Sequence, residues 1–173
     1  PPEQAFLEAV NRARLNPQAE ATRLGIDLFD GVPQGAISDQ PVQPLTFNSR
    51  LLQAAYLHSQ DMIVHQYYSH TSQDGRTFYD RIAQAGYSAQ VAAENLSSSF
   101  SSEPQEEVST VLSLYDHLFV DAGVEGRVHR VNILTGTLKE MGIGFVPGSY
   151  ESYPYAYLLT SDFGASSSDP NPF

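Results

Sequence analysis

Segments with helical periodicity occupy the first two thirds of this chain and strand-like segments the last third, and that order limits what it can fold into more than any other feature. A repeating βαβ pattern would alternate the two throughout, whereas helices followed by strands predict an α+β fold. Pro2 suits a first helical turn, and Phe6, Val10 and Ala13 recur at helical spacing until Asn16-Pro17 interrupts them. Pro17 can open a second short helix through Leu24, stopped by Gly25, and residues 30–44, with Gly31, Pro33, Gly35, Pro41 and Pro44, read as loop. A long helix is expected from Asn48 or Ser49 to Gln66, with the stripe Leu51, Leu52, Ala55, Met62, followed by a helix from Thr77 to Ala85 closed by Gly86. The Ser-rich residues 97–103 read as an exposed, mobile loop. A helix beginning at Pro104 carries Val108, Val111, Leu112, Tyr115, Leu118 and Phe119 to Val120 and ends at Asp121-Ala122-Gly123. Met141 to Val146 and Tyr153 to Thr160 read as strands joined by a loop starting at Pro147-Gly148, and Asp162-Phe163-Gly164 closes the core. We expect one domain over 1–165 and a flexible tail over 166–173, with no internal repeat and no linker.

Size and charge narrow the function. At 173 residues and 41% apolar content the chain can bury a full core. Its net charge of −11, with Lys139 the only lysine, sets it against nucleic-acid phosphates and anionic membrane surfaces. Without cysteine there is no disulfide, no thiolate chemistry and no thiolate-bound zinc. No apolar run approaches the ~20 residues of a membrane span. The chain starts Pro1-Pro2 without a methionine, so a removed upstream segment, such as a secretion signal, is expected.

Chemistry concentrates in three polar, turn-like pieces, Tyr68 to Ser72, Ala92 to Leu96 and Val128 to Asn132, which carry His70, Glu94 and His129. Two imidazoles and a carboxylate that converge can hold a divalent metal or run acid–base chemistry. They also pair well without a metal, as a hydrogen-bonded cluster that pins three loops. His58 and His65 lie seven apart on one helix, and the ~10 Å of rise between them is too far for one ion, so both read as core or flank residues. Ser69 precedes His70, but with no Gly-x-Ser-x-Gly elbow and no His-Glu-x-x-His helix it reads as a helper or cap. The tyrosines at 153, 155 and 157 alternate as strand packing does, and Glu140 reads as a surface charge at a strand entry.

At these residues the chain resembles the CAP superfamily, also called the SCP domain: cysteine-rich secretory, antigen 5 and pathogenesis-related proteins, with many bacterial members. The matching pieces are Asn11 to Arg14, Leu52 to Met62, Ser69-His70-Thr71-Ser72, Asp74 to Thr77, Ala85-Gly86-Tyr87, Glu94-Asn95-Leu96, His129 to Leu134 and Met141 to Gly144. Their order and spacing fit from about residue 5 to 164, and this chain is similar to bacterial-type members without cysteines. The resemblance implies an α-β-α sandwich, with a central, mostly antiparallel sheet between helical layers, and a cleft lined by two histidines and two acids. His70 matches the first histidine, Glu94 the acid of the Glu-Asn-Leu piece and His129 the second histidine. The eukaryotic pattern has its other acid on the helix before the second histidine. Here Asp116 and His117 sit away from the apolar stripe, and Asp121, ahead of Glu125, is taken as the fourth residue.

The expected function is a secreted binding domain, extracellular or periplasmic and monomeric, whose cleft takes a divalent cation, zinc foremost, through His70, Glu94, His129 and Asp121. Its partner is an ion, a small molecule or an extracellular protein. Two alternatives stand beside it: a metal-assisted hydrolase of peptides or esters, and a carrier of apolar ligands such as sterols or fatty acids, which some relatives bind in separate grooves.

Overall fold

A computed structural model describes residues 1–166. Along the chain run α1 (Pro2–Leu15), α2 (Pro17–Arg23), β1 (Thr46–Phe47), α3 (Ser49–His65), α4 (Phe78–Gln84), β2 (Ala89–Ser101), α5 (Glu107–Val120), α6 (Val128–Leu134), β3 (Glu140–Tyr150) and β4 (Tyr153–Ser166). The class is α+β. Two compact units form, each from two stretches: Pro1–Leu45 with Glu106–Gly136, and Thr46–Gln105 with Thr137 onward.

The first unit is helical. Phe6, Val10 and Ala13 of α1 are buried, as are Val111, Leu114, Tyr115, Leu118 and Phe119 of α5, and the Phe6 and Tyr115 rings meet edge to face at 5.8 Å. Each large apolar side chain so buried contributes about 1.5–3 kcal/mol. Two arginines are also fully enclosed. Arg14 donates to the carbonyls of Gln43 (2.8 Å), Ile133 (2.8 Å) and Thr135 (3.0 Å), and burial lowers its pKa to about 10. Arg130 donates to the carbonyls of Phe119 (2.7 Å) and Val120 (2.6 Å), which a helix leaves unpaired at its C-terminus, and to Leu28 (2.8 Å).

The second unit holds the sheet, in the order β1-β3-β4-β2. Its pairings are antiparallel except for β1 with β3, so it is mixed but mostly antiparallel, as expected. Helix α3, capped by Asn48, lies on β3 because Gly142 and Gly144 have no side chain. A Cβ on Gly142 would stand 2.0 Å from the Leu51 carbonyl carbon, and one on Gly144 2.3 Å from the Ala55 oxygen. Beneath α3, Ser59 donates to the Gly144 carbonyl (2.7 Å), with Thr160 Oγ1 at 2.8 Å.

Five local expectations are corrected. Residues 97–101 are strand, not loop: β2 pairs with β4 from Ala89 to Ser101, and Leu96 and Ser97 are buried. A serine run has little strand preference of its own, and the partner β4, with Leu158 and Leu159, overrides it. The Glu94 piece is therefore the middle of a strand rather than a turn. The His129 piece is helix α6, not a turn. Pro147-Gly148 lies inside β3, whose other edge pairs with β1 only at Glu140 and Met141, so the missing N–H of Pro147 leaves no ladder bond unmade there. Glu140 is no bare surface charge, since it accepts from Tyr87 Oη (2.6 Å) and Asn48 Nδ2 (2.8 Å). Of the expected tail, Ser166 ends β4 and residues 167–173 lie outside the described residues.

Candidate functional site

Glu94 sits in mid-β2 directly opposite Asp162 of β4, so both carboxyls rise from one face of the sheet. Three donors converge on Glu94. His70, on the segment after α3, brings Nδ1 to 2.8 Å from Oε1. Arg81 of α4 donates from Nη2 to Oε2. Asp162 is the third. It is 1% exposed, and neither of its oxygens finds a donor. Burial, followed by the negative charge of Glu94, pushes its carboxyl well above the usual range. In its acid form Asp162 becomes the donor, and Glu94 accepts from it. Burial opposes the ionisation of Glu94 itself, but the His70 hydrogen bond and the Arg81 charge outweigh it, and the group stays below its ordinary value.

Arg81 ties the cluster together. Its Nη1 reaches the carbonyls of His70 (2.9 Å) and Arg76 (3.3 Å) and Ser72 Oγ (3.2 Å), so one guanidinium fixes the His70 backbone and the carboxylate that His70 faces. An ionised carboxylate only accepts, so Nδ1 of His70 carries the hydrogen, and in the tautomer this fixes the lone pair sits on Nε2. The His70 side chain is 54% exposed, and among the described residues nothing hydrogen-bonds to Nε2. The result is an imidazole held rigidly at one nitrogen and presented at the other.

The first unit builds a second pair of a carboxylate and an imidazole. Asp121 ends α5 in the left-handed region (φ 53°) and is 2% exposed. Its Oδ1 meets His129 Nδ1 at 2.7 Å, and its Oδ2 accepts the His129 backbone N–H (2.9 Å) at the start of α6. Of the four residues expected from the sequence, His70 is brought to Glu94 within one unit and His129 to Asp121 within the other. Glu125 lies in a 3-10 turn, and Asp116 pairs with Arg23.

His58 is buried and donates from Nε2 to the Ser69 carbonyl at 2.9 Å, while burial, followed by the nearby Arg81 charge, lowers its pKa. His65 sits in the exposed last turn of α3 beside Asp61. Ser69 Oγ accepts from the Thr71 N–H (3.1 Å), the local cap expected of it. Sequence reasoning passed over Arg81 and gave Asp162 only a closing role. The signal for Asp162 was there: an aspartate inside the strand run Thr160 to Phe163 is unusual enough to ask what stands opposite it.

Within either unit, among the described residues, no three His, Cys, Asp or Glu side chains group closely enough to hold a metal ion. Both Glu94 oxygens are already engaged, one by a guanidinium that offsets its charge. The second unit by itself thus offers a cation one imidazole nitrogen, short of the four donors of a structural zinc centre. No helix among the described residues is long and apolar enough to cross a membrane.

No curated protein matches this chain. Solved structures do. An extracellular SCP-domain protein from Bacillus anthracis matches at 17% identity and TM-score 0.55, over 95% of this chain and 41% of its own length. Venom allergen-like protein 4 of Schistosoma mansoni matches at 11% identity and TM-score 0.55, over 96% of this chain and 89% of that one. An outer surface protein of Borrelia burgdorferi matches at 16% identity and TM-score 0.51, over 72% and 80%. At these identities the likeness is one of fold, and this chain spans less than half the length of the Bacillus protein. The profile of the cysteine-rich secretory protein family matches residues 7–163. Although it has no cysteine, the chain belongs to the CAP (cysteine-rich secretory protein) family.

Proposed function

We propose that this chain is the binding module of an extracellular or surface protein, and that it works by non-covalent capture at imidazoles oriented by buried carboxylates. One observation carries the reading. His70 is pinned at Nδ1 by Glu94, and Glu94 is pinned by Arg81, which leaves Nε2 of a half-exposed side chain without a hydrogen-bond partner among the described residues. That arrangement suits a ligand's hydrogen-bond donor, and it is also how proteins orient a histidine toward a cation, with a carboxylate behind the ring. In the cation part of the proposal each unit is taken by itself: His70 is the ligating group and Glu94 orients it in one, and His129 is the ligating group and Asp121 orients it in the other. A bound divalent ion would supply a positive centre for anionic or carbonyl groups. The extracellular setting is taken from the fold relatives described as extracellular or outer-surface proteins.

Capture is favoured over turnover because among the described residues no hydroxyl hydrogen-bonds to His70, as a nucleophile paired with its base would. Zinc titration calorimetry on the wild type, His70→Ala and Glu94→Gln tests the cation part. The expected result is loss of binding in the first variant and a roughly 10–100-fold weaker affinity in the second. Zinc binding unchanged in both variants would overturn it.

A further inference from the structure

Ala92, Glu94, Ser98 and Phe100 lie an even number of residues apart and so fall on one face of β2. Each has an exposed ring at its position. Tyr79 of α4 donates from its hydroxyl to the Ala92 carbonyl (3.2 Å). His70 sits on Glu94. Tyr68 holds its hydroxyl at Ser98, within the field of Glu94. Phe100 lies between the rings of Tyr150 (centroids 5.0 Å) and Tyr153 (5.7 Å). Tyr68, Tyr79, Phe100 and Tyr153 are 37–50% exposed. The row follows β2 from Ala92 to Phe100, roughly 26 Å at ~3.3 Å per residue. Exposed aromatics gathered in this way, rather than scattered singly, mark an interaction surface. The whole row belongs to the second unit.

Charge and hydrogen bonding restrict what can lie on it. Residues 67–72, 78–80, 89–105 and 149–157, which carry the rings, include no lysine or arginine. They include exposed acids toward both ends of the row: Asp80 next to Tyr79, and Glu103 and Glu151 close in sequence to Phe100 and Tyr153. The neighbouring bases are engaged, Arg81 by Glu94 and Arg76 by Asp74 (2.7 Å) and Gln84 (2.8 Å). The chain as a whole carries −11. At the centre, His70 Nε2 offers a lone pair and calls for a donor. A group that donates N–H, is positively charged and is flat enough to stack on a ring satisfies all of these, and among side chains that group is the arginine guanidinium. Spacing selects the backbone that carries it. An extended peptide presents side chains to one face every second residue, the same period that separates the ring positions along β2.

We propose that this row of rings binds an extended, arginine-bearing segment of a partner protein, with one guanidinium donating to His70 Nε2 and others stacked on the flanking aromatic rings. Capture by the oriented His70 ring, as read above, is the centre on which this binding rests.

The probe is an octapeptide amide that alternates arginine with serine, titrated into the 15N-labelled, chelator-treated chain at about 0.15 M salt, where exposed charges more than ~8 Å apart are largely screened. Saturable NMR shifts are expected for the amides of His70, Ala92, Ser98 and Phe100. Tyr79→Leu and Tyr153→Leu keep every charge and remove one exposed ring each, so each should weaken binding about two- to fivefold and the double variant roughly tenfold. His70→Ala should weaken it at least as much as either, and an octapeptide with its arginines in one block should bind less tightly than the alternating one. No saturable shift, affinity unchanged by His70→Ala or by the double ring variant (the mark of binding through the acidic surface at large), equal affinity for the block peptide, or tighter binding of cellohexaose, a neutral glycan that also stacks on rings, would each overturn the proposal. Zinc calorimetry on the same preparation separates the two readings. Zinc bound at His70 with no peptide shift removes the arginine segment and leaves capture in place, whereas absence of both removes capture as well.

Discussion

Glu20→Gln is the substitution whose cost follows most directly from the geometry. Glu20 is 2% exposed in the helical unit and accepts five hydrogen bonds: from Arg12 Nε and Nη2 (both 2.8 Å), Arg23 Nη2 (2.8 Å) and Nε (3.2 Å), and Tyr115 Oη (3.0 Å). Burial opposes its ionisation, but the Arg12, Arg23 and Tyr115 hydrogen bonds prevail and bring its pKa from 4.5 down to about 2. At about 1.4 kcal/mol per pH unit this is worth roughly 3 kcal/mol at neutral pH. The two arginine side chains are 51% and 41% exposed, so screening trims the figure to about 2 kcal/mol. Because the folded value is the lower one, the stabilisation is fully present above pH 4.5 and is lost as pH falls toward 2. Urea unfolding of wild type and variant from pH 7 to pH 2 should show a gap of about 2 kcal/mol at neutral pH that closes through that window. A gap that stays constant with pH, or one below about 0.5 kcal/mol at pH 7, would refute the reasoning.

The sheet unit yields two further predictions. Gly144→Ala places a Cβ 2.3 Å from the Ala55 oxygen, so α3 must lift from β3, and thermal or urea unfolding should show a loss of about 3 kcal/mol or more. Asp162→Asn should abolish a pH effect. The native fold holds a proton on Asp162 that the unfolded chain releases, so wild-type stability from this group is complete at acid pH and declines by up to about 1.4 kcal/mol per pH unit as pH rises toward the raised folded value. The neutral asparagine removes that decline, and unfolding curves at pH 4 to 8 should show the variant gaining on the wild type as pH rises.

The long helices were legible in the sequence because each carries its own periodic stripe and its own boundary signal, as in the stop at Asn16-Pro17 after α1 and the cap Asn48 before α3. Strand β2 was not, because Ser97, Ser98 and Ser99 become strand only through pairing with Leu159, Leu158 and Tyr157, far away in sequence. Proline at 147 misled in the same way, since its tolerance depends on an edge that only the tertiary structure creates. For the site, His70 and Glu94 stood out as residue types in polar company. Their direct bond, and the roles of Arg81 and Asp162, come from a strand register and a helix placement that local composition does not encode. Asp121 could be named only as an acid near His129. Its hold on both the ring and the backbone N–H arises from a left-handed residue at the end of α5.

The account stands on an imidazole fixed at one nitrogen and offered at the other. Histidine-selective 15N NMR during zinc titration reads both nitrogens of His70 at once. We predict a hydrogen on Nδ1 before zinc is added, retained afterwards, with the zinc-induced shift confined to Nε2. Zinc arriving at Nδ1 with loss of the Glu94 bond, or a His70 ring hydrogen on Nε2 in the free protein, would contradict it.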